Sequence, residues 1–325
     1  MKPLLLGAAD VANSAPSLLE IVSLVEATYR MEAGGQVDVP PKIGVHPGGS
    51  QNFLHSMPAW VAGSRALGIK WVSYFPGNAD RGSPDSSALV VLNDPDSGLP
   101  IAILEGMWIT FARTSACAAL AAKYLVSGAP RRLGLVGCGG LGRWSLRMIG
   151  AVFPTIKEVF VASRRSETRS TFCATMGKEG PWRLVPVDDV RSAVEGMDIV
   201  VSSVPKLQQH PVLGRWWSPG TVMIPLDVTG AWDDEVYRIA DRIACDSTIN
   251  LQRAFERYRP NLTIEPERMA SMQDMAAGTR LGRQAASDRI LAFVTGIASL
   301  DIVLSCEIYR RAEKAGRGYR FDLAN

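Results

Sequence analysis

Histidine is scarce in this chain, with only His46, His55 and His210, and the five cysteines (Cys117, Cys138, Cys173, Cys245 and Cys306) are scattered without a C-x-x-C pair. Lacking H-E-x-x-H and any Cys/His cluster, the sequence offers none of the usual spacings for a protein-bound metal. An odd number of widely spaced cysteines in mostly apolar surroundings suits reduced thiols, which predicts a cytoplasmic protein rather than a disulfide framework. No apolar run approaches the roughly 18 residues of a membrane span, and the run near Leu4 is too short for the apolar core of a secretory leader, so no membrane partner is expected. Charge of one sign is also missing: the formal net charge is +3 over 325 residues, with the basic side chains dispersed, and nucleic acid is not implied. Internal repeats and low-complexity stretches are absent.

What remains is an ordinary globular balance of 47% hydrophobic and 21% charged residues, in a chain long enough for two domains that each bury a core. Its organising stretch runs from Leu133 to Gly142. An apolar strand breaks into Gly137, Gly139, Gly140 and Gly142 around Leu141, then resumes with helical spacing at Trp144, Leu146, Met148 and Ile149. Gly137, Gly139 and Gly142 have the G-x-G-x-x-G spacing of a dinucleotide turn, where one glycine makes the turn, the next admits a pyrophosphate and the third lets helix and strand pack. A second strand, Glu158 to Ser163, ends in Ser163-Arg164-Arg165 with no carboxylate before Glu167. An NAD site favours an acid there for the ribose 2′-hydroxyl, whereas arginine accommodates a 2′-phosphate, so NADP is expected, with NAD the alternative. A third strand, Asp198 to Pro205, brings Ser203 and Val204 into the candidate cofactor set; it follows an acidic helical stretch around Asp188 to Glu195. A fourth strand covers Thr221 to Leu226. Strands alternating with helices predict a parallel sheet with right-handed crossovers.

Ahead of this region lie six apparent strands, expected to form a separate antiparallel unit: one near Leu4, a hairpin around Pro47 to Ser50, then 66–74, 87–93 and 101–104. A helix opened by Ser14 and Pro16 should run to Gly34. Lys70 interrupts an apolar strand, and Arg113 stands at the head of an Ala-rich helix from Thr114 to Val126. Such cations are ordinarily solvated, but a carboxylate-binding site needs cations fixed on rigid elements.

Several segments together resemble the ornithine cyclodeaminase and mu-crystallin family: Pro41-Lys42, Met57-Pro58-Ala59, Gly68 to Asn78, Leu92 to Pro95, Arg113 to Ala116, the glycine loop, and Gly296 to Asp301. The resemblance implies an α/β fold in which a Rossmann-type doubly wound sheet, residues 126–299, is inserted into an α+β substrate-binding and dimerisation domain formed by residues 1–125 and 300–325. It implies that a helix from about Asp288 to Ala315 returns to the first domain. It also implies that Lys70 touches substrate and cofactor, that Arg113 holds the substrate carboxylate near the nicotinamide, that Thr114 meets the cofactor phosphates, and that Lys42 and Met57 line the substrate site.

Three departures from the family pattern bear on activity. Lys42 stands where arginine is common, replacing a bidentate fork by a point charge. His55 and Ser56 occupy the stretch where cyclodeaminases carry an amine-binding acid. Thr229 aligns with the cyclodeaminase catalytic aspartate, while Asp227 lies two residues earlier. These features favour an NAD(P)-dependent oxidoreductase acting on a C–N bond of an amino-acid-like substrate, an imine reductase or amino-acid dehydrogenase, with Lys70, Asp227 and Thr229 as the catalytic candidates. A cyclodeaminase-type lyase or amino-acid-condensing enzyme is the alternative, and a non-catalytic, crystallin-like NADPH-binding protein the second. A homodimer acting on a small amino-acid or imino-acid substrate is expected.

Overall fold

The computed structural model describes residues 2–48, 52–205, 210–228 and 230–323. The chain divides into two compact units, Met1–Arg113 with Gly296–Asn325, and Thr114–Thr295.

The first unit is a twisted sheet with helices on one face. Its strand order is Tyr319–Arg320, Leu4–Leu6, Pro100–Glu105, Ser86–Asn93, Ala66–Tyr74, Phe53–Val61 and Val37–Asp38, with Ile43–Val45 also on the Phe53–Val61 strand. Adjacent strands run antiparallel, save that Leu4–Leu6 lies parallel to Pro100–Glu105, so the unit is mixed rather than purely antiparallel. Strand alternation sorts the side chains: Ala66, Gly68 and Lys70 are buried on one face, while Trp71 on the other is exposed. The buried face meets the Ala298–Lys314 helix, which contacts the Phe53–Val61, Ala66–Tyr74 and Ser86–Asn93 strands and packs on the Leu18–Ala33 helix. The latter is capped by Ser17 rather than Ser14: Glu20 N–H donates to Ser17 Oγ and Ser17 N–H to the Glu20 carboxylate, a reciprocal capping box. Ser14 instead ends a short helix, Ala8–Asn13, which the periodicity did not predict.

The Met107–Leu125 helix begins seven residues before the expected Thr114. Its start is set by Glu105, whose carboxylate accepts the Met107 and Trp108 N–H groups at 2.6 and 3.0 Å, satisfying two donors that a helix start leaves open. Arg113 therefore lies within the helix, not at its head.

The second unit is an eight-stranded, wholly parallel sheet in the order Arg183–Val187, Glu158–Ala162, Arg132–Val136, Ile199–Ser202, Val222–Pro225, Ile290–Phe293, Arg242–Cys245 and Met269–Ser271. The strand order reverses beside Arg132–Val136, which is where doubly wound sheets open a ligand crevice at the strands' carboxyl ends. Two expectations are corrected here. The stretch around Asp188 to Glu195 holds only a single 3₁₀ turn, Val190–Ala193, preceded by an edge strand whose Pro186 is tolerated because an edge needs no ladder donor there. The predicted helix from Asp288 instead starts as the strand Ile290–Phe293, an apolar run buried on both sides; Gly296, at φ +78°, turns the chain before the helix begins at Ala298.

Candidate active site

In the first unit Lys70 is fully buried at mid-strand, with Met57 and Val90 as its cross-strand neighbours. Its Nζ donates to Asp301 Oδ1 at 2.7 Å and, at 3.4 Å, to Thr110 Oγ1. Arg113 Nε donates to the same Asp301 oxygen at 2.8 Å. The three charged side chains are 1%, 0% and 7% exposed in the order Lys70, Asp301, Arg113. With Lys70 protonated, one carboxylate between two cations leaves a net positive charge inside the protein. Burial, helped by the Arg113 and Lys42 charges, pulls the Lys70 ammonium below the ordinary lysine range against the pull of Asp301. Burial works to raise the Asp301 carboxyl, yet Arg113 and Lys70 hold it below the usual carboxylate range. Buried ion clusters are poor stabilisers, since well-packed apolar residues of equal volume often match or exceed them by about 1–4 kcal/mol. A buried, net-cationic cluster has the charge and the donors to receive an anion. Lys42, just before the Ile43–Val45 strand, acts on Lys70 through its charge.

In the second unit the glycine loop links Arg132–Val136 to the Gly140–Val152 helix. Gly137 has φ +119°, and a Cβ there would lie 2.5 Å from the Ser203 carbonyl oxygen; at Gly142 it would lie 2.3 Å from the Gly137 carbonyl oxygen. Internal packing demands those two glycines. Gly139 is different: an added Cβ would meet no atom of the protein within 4 Å, and its backbone is extended at φ −79°, ψ −163°. Open space over a glycine at a helix N-terminus suits an approaching phosphate. Ser203 Oγ, beside the loop, is buried without a hydrogen bond among the described residues. Leu141 and Gly140 form the helix's first turn, and the neighbouring Ser145 Oγ lies 3.4 Å from Ser115 Oγ, next to the buried Thr114. Burial pushes the Cys138 thiol up to about 11, so this loop cysteine is no nucleophile at neutral pH. After the second strand, Ser163 accepts Arg169 Nη1 at 2.9 Å through its carbonyl, while Arg164 and Arg165 are exposed at the entry to the Ser166–Met176 helix.

Asp227 follows the Val222–Pro225 strand. Its Oδ2 accepts the Val204 N–H at 3.1 Å, joining the ends of two neighbouring parallel strands. Among the described residues its Oδ1 is buried without a hydrogen bond of good geometry. Burial raises this carboxyl to about 6, against donors at Val204, Ser202, Ala231 and Gly230. The next residue, Val228, sits at φ +58°, a strained position for a β-branched side chain. Thr229 lies outside the described residues.

The structure thus gathers Lys70 and Arg113 around Asp301, with Met57 opposite Lys70 on the neighbouring strand, and it gathers Gly137, Gly139, Gly142 and Ser203, with Val204 tied to Asp227. Asp301 is absent from the residues chosen by sequence reasoning. Two signals pointed to it: it closes the Gly296 to Asp301 segment that resembles the family, and it is an acid within the apolar run Leu300 to Leu304. Among the described residues no group of His, Cys, Asp and Glu side chains is arranged to hold a metal, and no helix is long and apolar enough to cross a membrane.

The family model described as ornithine cyclodeaminase/mu-crystallin matches residues 1–316. The chain belongs to this family. Among curated members, the nodulation efficiency protein NfeD of Rhizobium meliloti is 28% identical over 309 residues, covering 95% of each chain. Two solved structures of the ornithine cyclodeaminase/mu-crystallin family superpose closely. The Δ(1)-pyrroline-2-carboxylate reductase of Thermococcus litoralis, in complex with NADH and L-proline, is 25% identical with a TM-score of 0.87 and covers 97% of this chain and 99% of its own. An archaeal alanine dehydrogenase dimer with bound NAD is 27% identical with a TM-score of 0.88 over 100% of both chains.

Proposed function

We propose that this family member is a nicotinamide-dependent oxidoreductase acting at the C–N bond of an amino-acid-like carboxylate, and that it prefers NADP to NAD. The observation that carries this reading is the buried, net-cationic Lys70–Asp301–Arg113 cluster, which suits a substrate carboxylate. The reductase and dehydrogenase activities named for its relatives support the same reaction class.

In this reading Lys70 and Arg113 hold the carboxylate by charge-assisted hydrogen bonds and so orient the adjoining carbon, with Lys42 and Met57 at the edge of the same site. Gly137, Gly139, Gly140, Leu141 and Gly142 receive the pyrophosphate, aided by Thr114, and Ser203 with Val204 border it. Ser163, Arg164 and Arg165 take the 2′-phosphate. When bound, the nicotinamide supplies or accepts hydride. Asp227, with its carboxyl raised toward neutrality, holds or releases the proton that the C–N bond change requires. A role for Thr229 in holding a water nearby rests on its alignment alone. Calorimetric titration of cofactor-stripped protein with NADPH and then NADH, at fixed salt, tests the cofactor. NADPH tighter by tenfold or more supports the arginine clamp, and equal or tighter NADH discards it. A panel of keto acids with ammonia, cyclic imino acids and amino acids tests the reaction. No turnover despite tight NADPH binding would mark a crystallin-like binder instead.

A second reading, a cyclodeaminase-type lyase, is favoured by the Asp227 position: a raised carboxyl at a strand end, one oxygen of which has no well-formed hydrogen bond among the described residues, could serve an amine-bearing side chain. Release of ammonia without net change in nicotinamide absorbance distinguishes it.

The enzyme is further proposed to work as a homodimer through the open face of the first unit's sheet. Ile43, Ser56, Trp71, Leu89 and Glu105 stand in one cross-strand row, and Ile43, Trp71 and Leu89 are 64%, 43% and 51% exposed. Adjacent exposed apolar residues on a sheet face are costly in water and suit a second copy. A cytoplasmic setting is proposed with it, consistent with Cys138, Cys173, Cys245 and Cys306 being thiols.

A further inference from the structure

The reading above gives Asp301 no task of its own. We propose that Asp301 is the positioning residue of the substrate site, holding Lys70 and Arg113 together as one anion-binding pair, an inference that rests on the carboxylate-binding reading of those two cations.

Three separate elements converge on this carboxylate. Lys70 comes from the middle of a strand, Arg113 from the Met107–Leu125 helix, and Asp301 from the first turn of the Ala298–Lys314 helix. The geometry is not that of a structural ion pair. An arginine that serves stability commonly sets two parallel N–H groups on both carboxylate oxygens. Here Arg113 approaches Asp301 through Nε, and both cations share Oδ1, at 2.7 and 2.8 Å. The second oxygen, Oδ2, is buried with no hydrogen bond among the described residues. Crowding two cations on one oxygen and leaving the other unused costs hydrogen bonds that a buried carboxylate could have made. It brings the two positive groups within reach of a single further anion. Lys70 Nζ has three N–H groups. One goes to Asp301 and a second, long, to Thr110, which leaves one without an acceptor among the described residues.

The charged groups around Lys70 are Asp301 on the Ala298–Lys314 helix, Arg113 on the Met107–Leu125 helix and Lys42 before the Ile43–Val45 strand. Asp301 alone favours the ammonium, while burial and both other cations oppose it. Removing the Asp301 charge therefore lowers the pH at which Lys70 loses its proton, and with it the upper pH limit for binding a carboxylate.

The sequence has eight lysines, so protein carrying ¹³Cε-labelled lysine gives a resolvable titration, with Lys70 assigned from the signal lost in Lys70→Met. In Asp301→Asn the Lys70 midpoint should fall by at least one pH unit. In Asp301→Glu, which keeps the charge, it should stay within about half a unit while kcat/KM for the best carboxylate of the panel falls at least tenfold, because the added methylene displaces both cations. The alkaline limb of kcat/KM in Asp301→Asn should move down with the midpoint; a merely structural role would lower activity without moving that limb. An unmoved or raised midpoint in folded Asp301→Asn overturns the proposal. Should that variant fail to fold, unchanged kcat/KM in Asp301→Glu overturns it equally. A lowered midpoint in a protein that turns over no carboxylate keeps the pairing and overturns only the functional reading beneath it.

Discussion

Gly139 and Gly137 lie two residues apart in one loop, yet alanine at each should do opposite things. At Gly137 the positive φ costs a side-chain-bearing residue about 1–3 kcal/mol, and the clash with the Ser203 carbonyl adds backbone displacement. A total near 3 kcal/mol lowers the melting temperature of a unit this size by about 6–12 °C, at about 2–4 °C per kcal/mol. At Gly139 the backbone is extended and the added methyl touches no atom of the described residues; the roughly 0.4–1 kcal/mol gained as the unfolded chain loses freedom is offset by alanine's poorer fit at this helix N-cap, so stability should change by less than about 1 kcal/mol. The cost falls on the ligand. If the pyrophosphate approaches the backbone there, the methyl removes at least one charge-assisted hydrogen bond, about 1.5–3 kcal/mol or roughly 10- to 100-fold in Kd. Scanning calorimetry of the apoprotein and calorimetric titration with NADPH separate the two effects. Gly139→Ala that binds NADPH like the wild type would refute the placement of the phosphates over this loop, as would Gly139→Ala that melts as early as Gly137→Ala.

Asp227→Asn should lower kcat by 10²–10⁴ if the carboxyl moves a proton, and a loss below about tenfold in steady-state kinetics removes it from that role. Because burial raises this carboxyl to about 6, the folded protein holds a proton that the unfolded chain releases between about pH 4 and 6, so stability falls as pH rises through that window. Asparagine should accordingly stabilise the protein at pH 8 by about 1–2 kcal/mol and change it little below pH 4, as urea melts across pH will show. Replacing both Arg164 and Arg165 by alanine should weaken NADPH binding at least tenfold at low salt and leave NADH within about twofold; equal losses for both cofactors would place the 2′-phosphate elsewhere. Leu89→Glu together with Trp71→Glu puts charge on the open sheet face and should convert a dimer to monomers in sedimentation velocity, an unchanged mass ruling that face out as the interface.

Much of this was legible because it depends on local pattern. The strand bearing Lys70 reads off its apolar run at 66–74, and the dinucleotide turn reads off its glycines, since both follow from side-chain spacing over a few residues. Lys70 itself was conspicuous as a cation in an apolar strand. Asp301 was not, because its meaning comes from a partner 231 positions away that only the fold brings near. The start of the Met107–Leu125 helix was missed because Glu105 ends a strand and caps the helix at once. Ile290–Phe293 reads as part of a helix because short apolar runs carry no period of their own; a strand buried on both faces and a buried helix segment look alike over four residues.

The most direct test of the central claim is isotopic. The protein, NADPH deuterated at nicotinamide C4 and each imino acid or keto acid with ammonia are incubated together, and the amino-acid product is analysed by mass spectrometry and NMR. Deuterium at the α-carbon, in step with NADPH consumed, is the result expected of a reductase acting at the C–N bond. Ammonia released from a diamino acid, with catalytic NAD and no net nicotinamide oxidation or reduction, would contradict it and make this chain a cyclodeaminase.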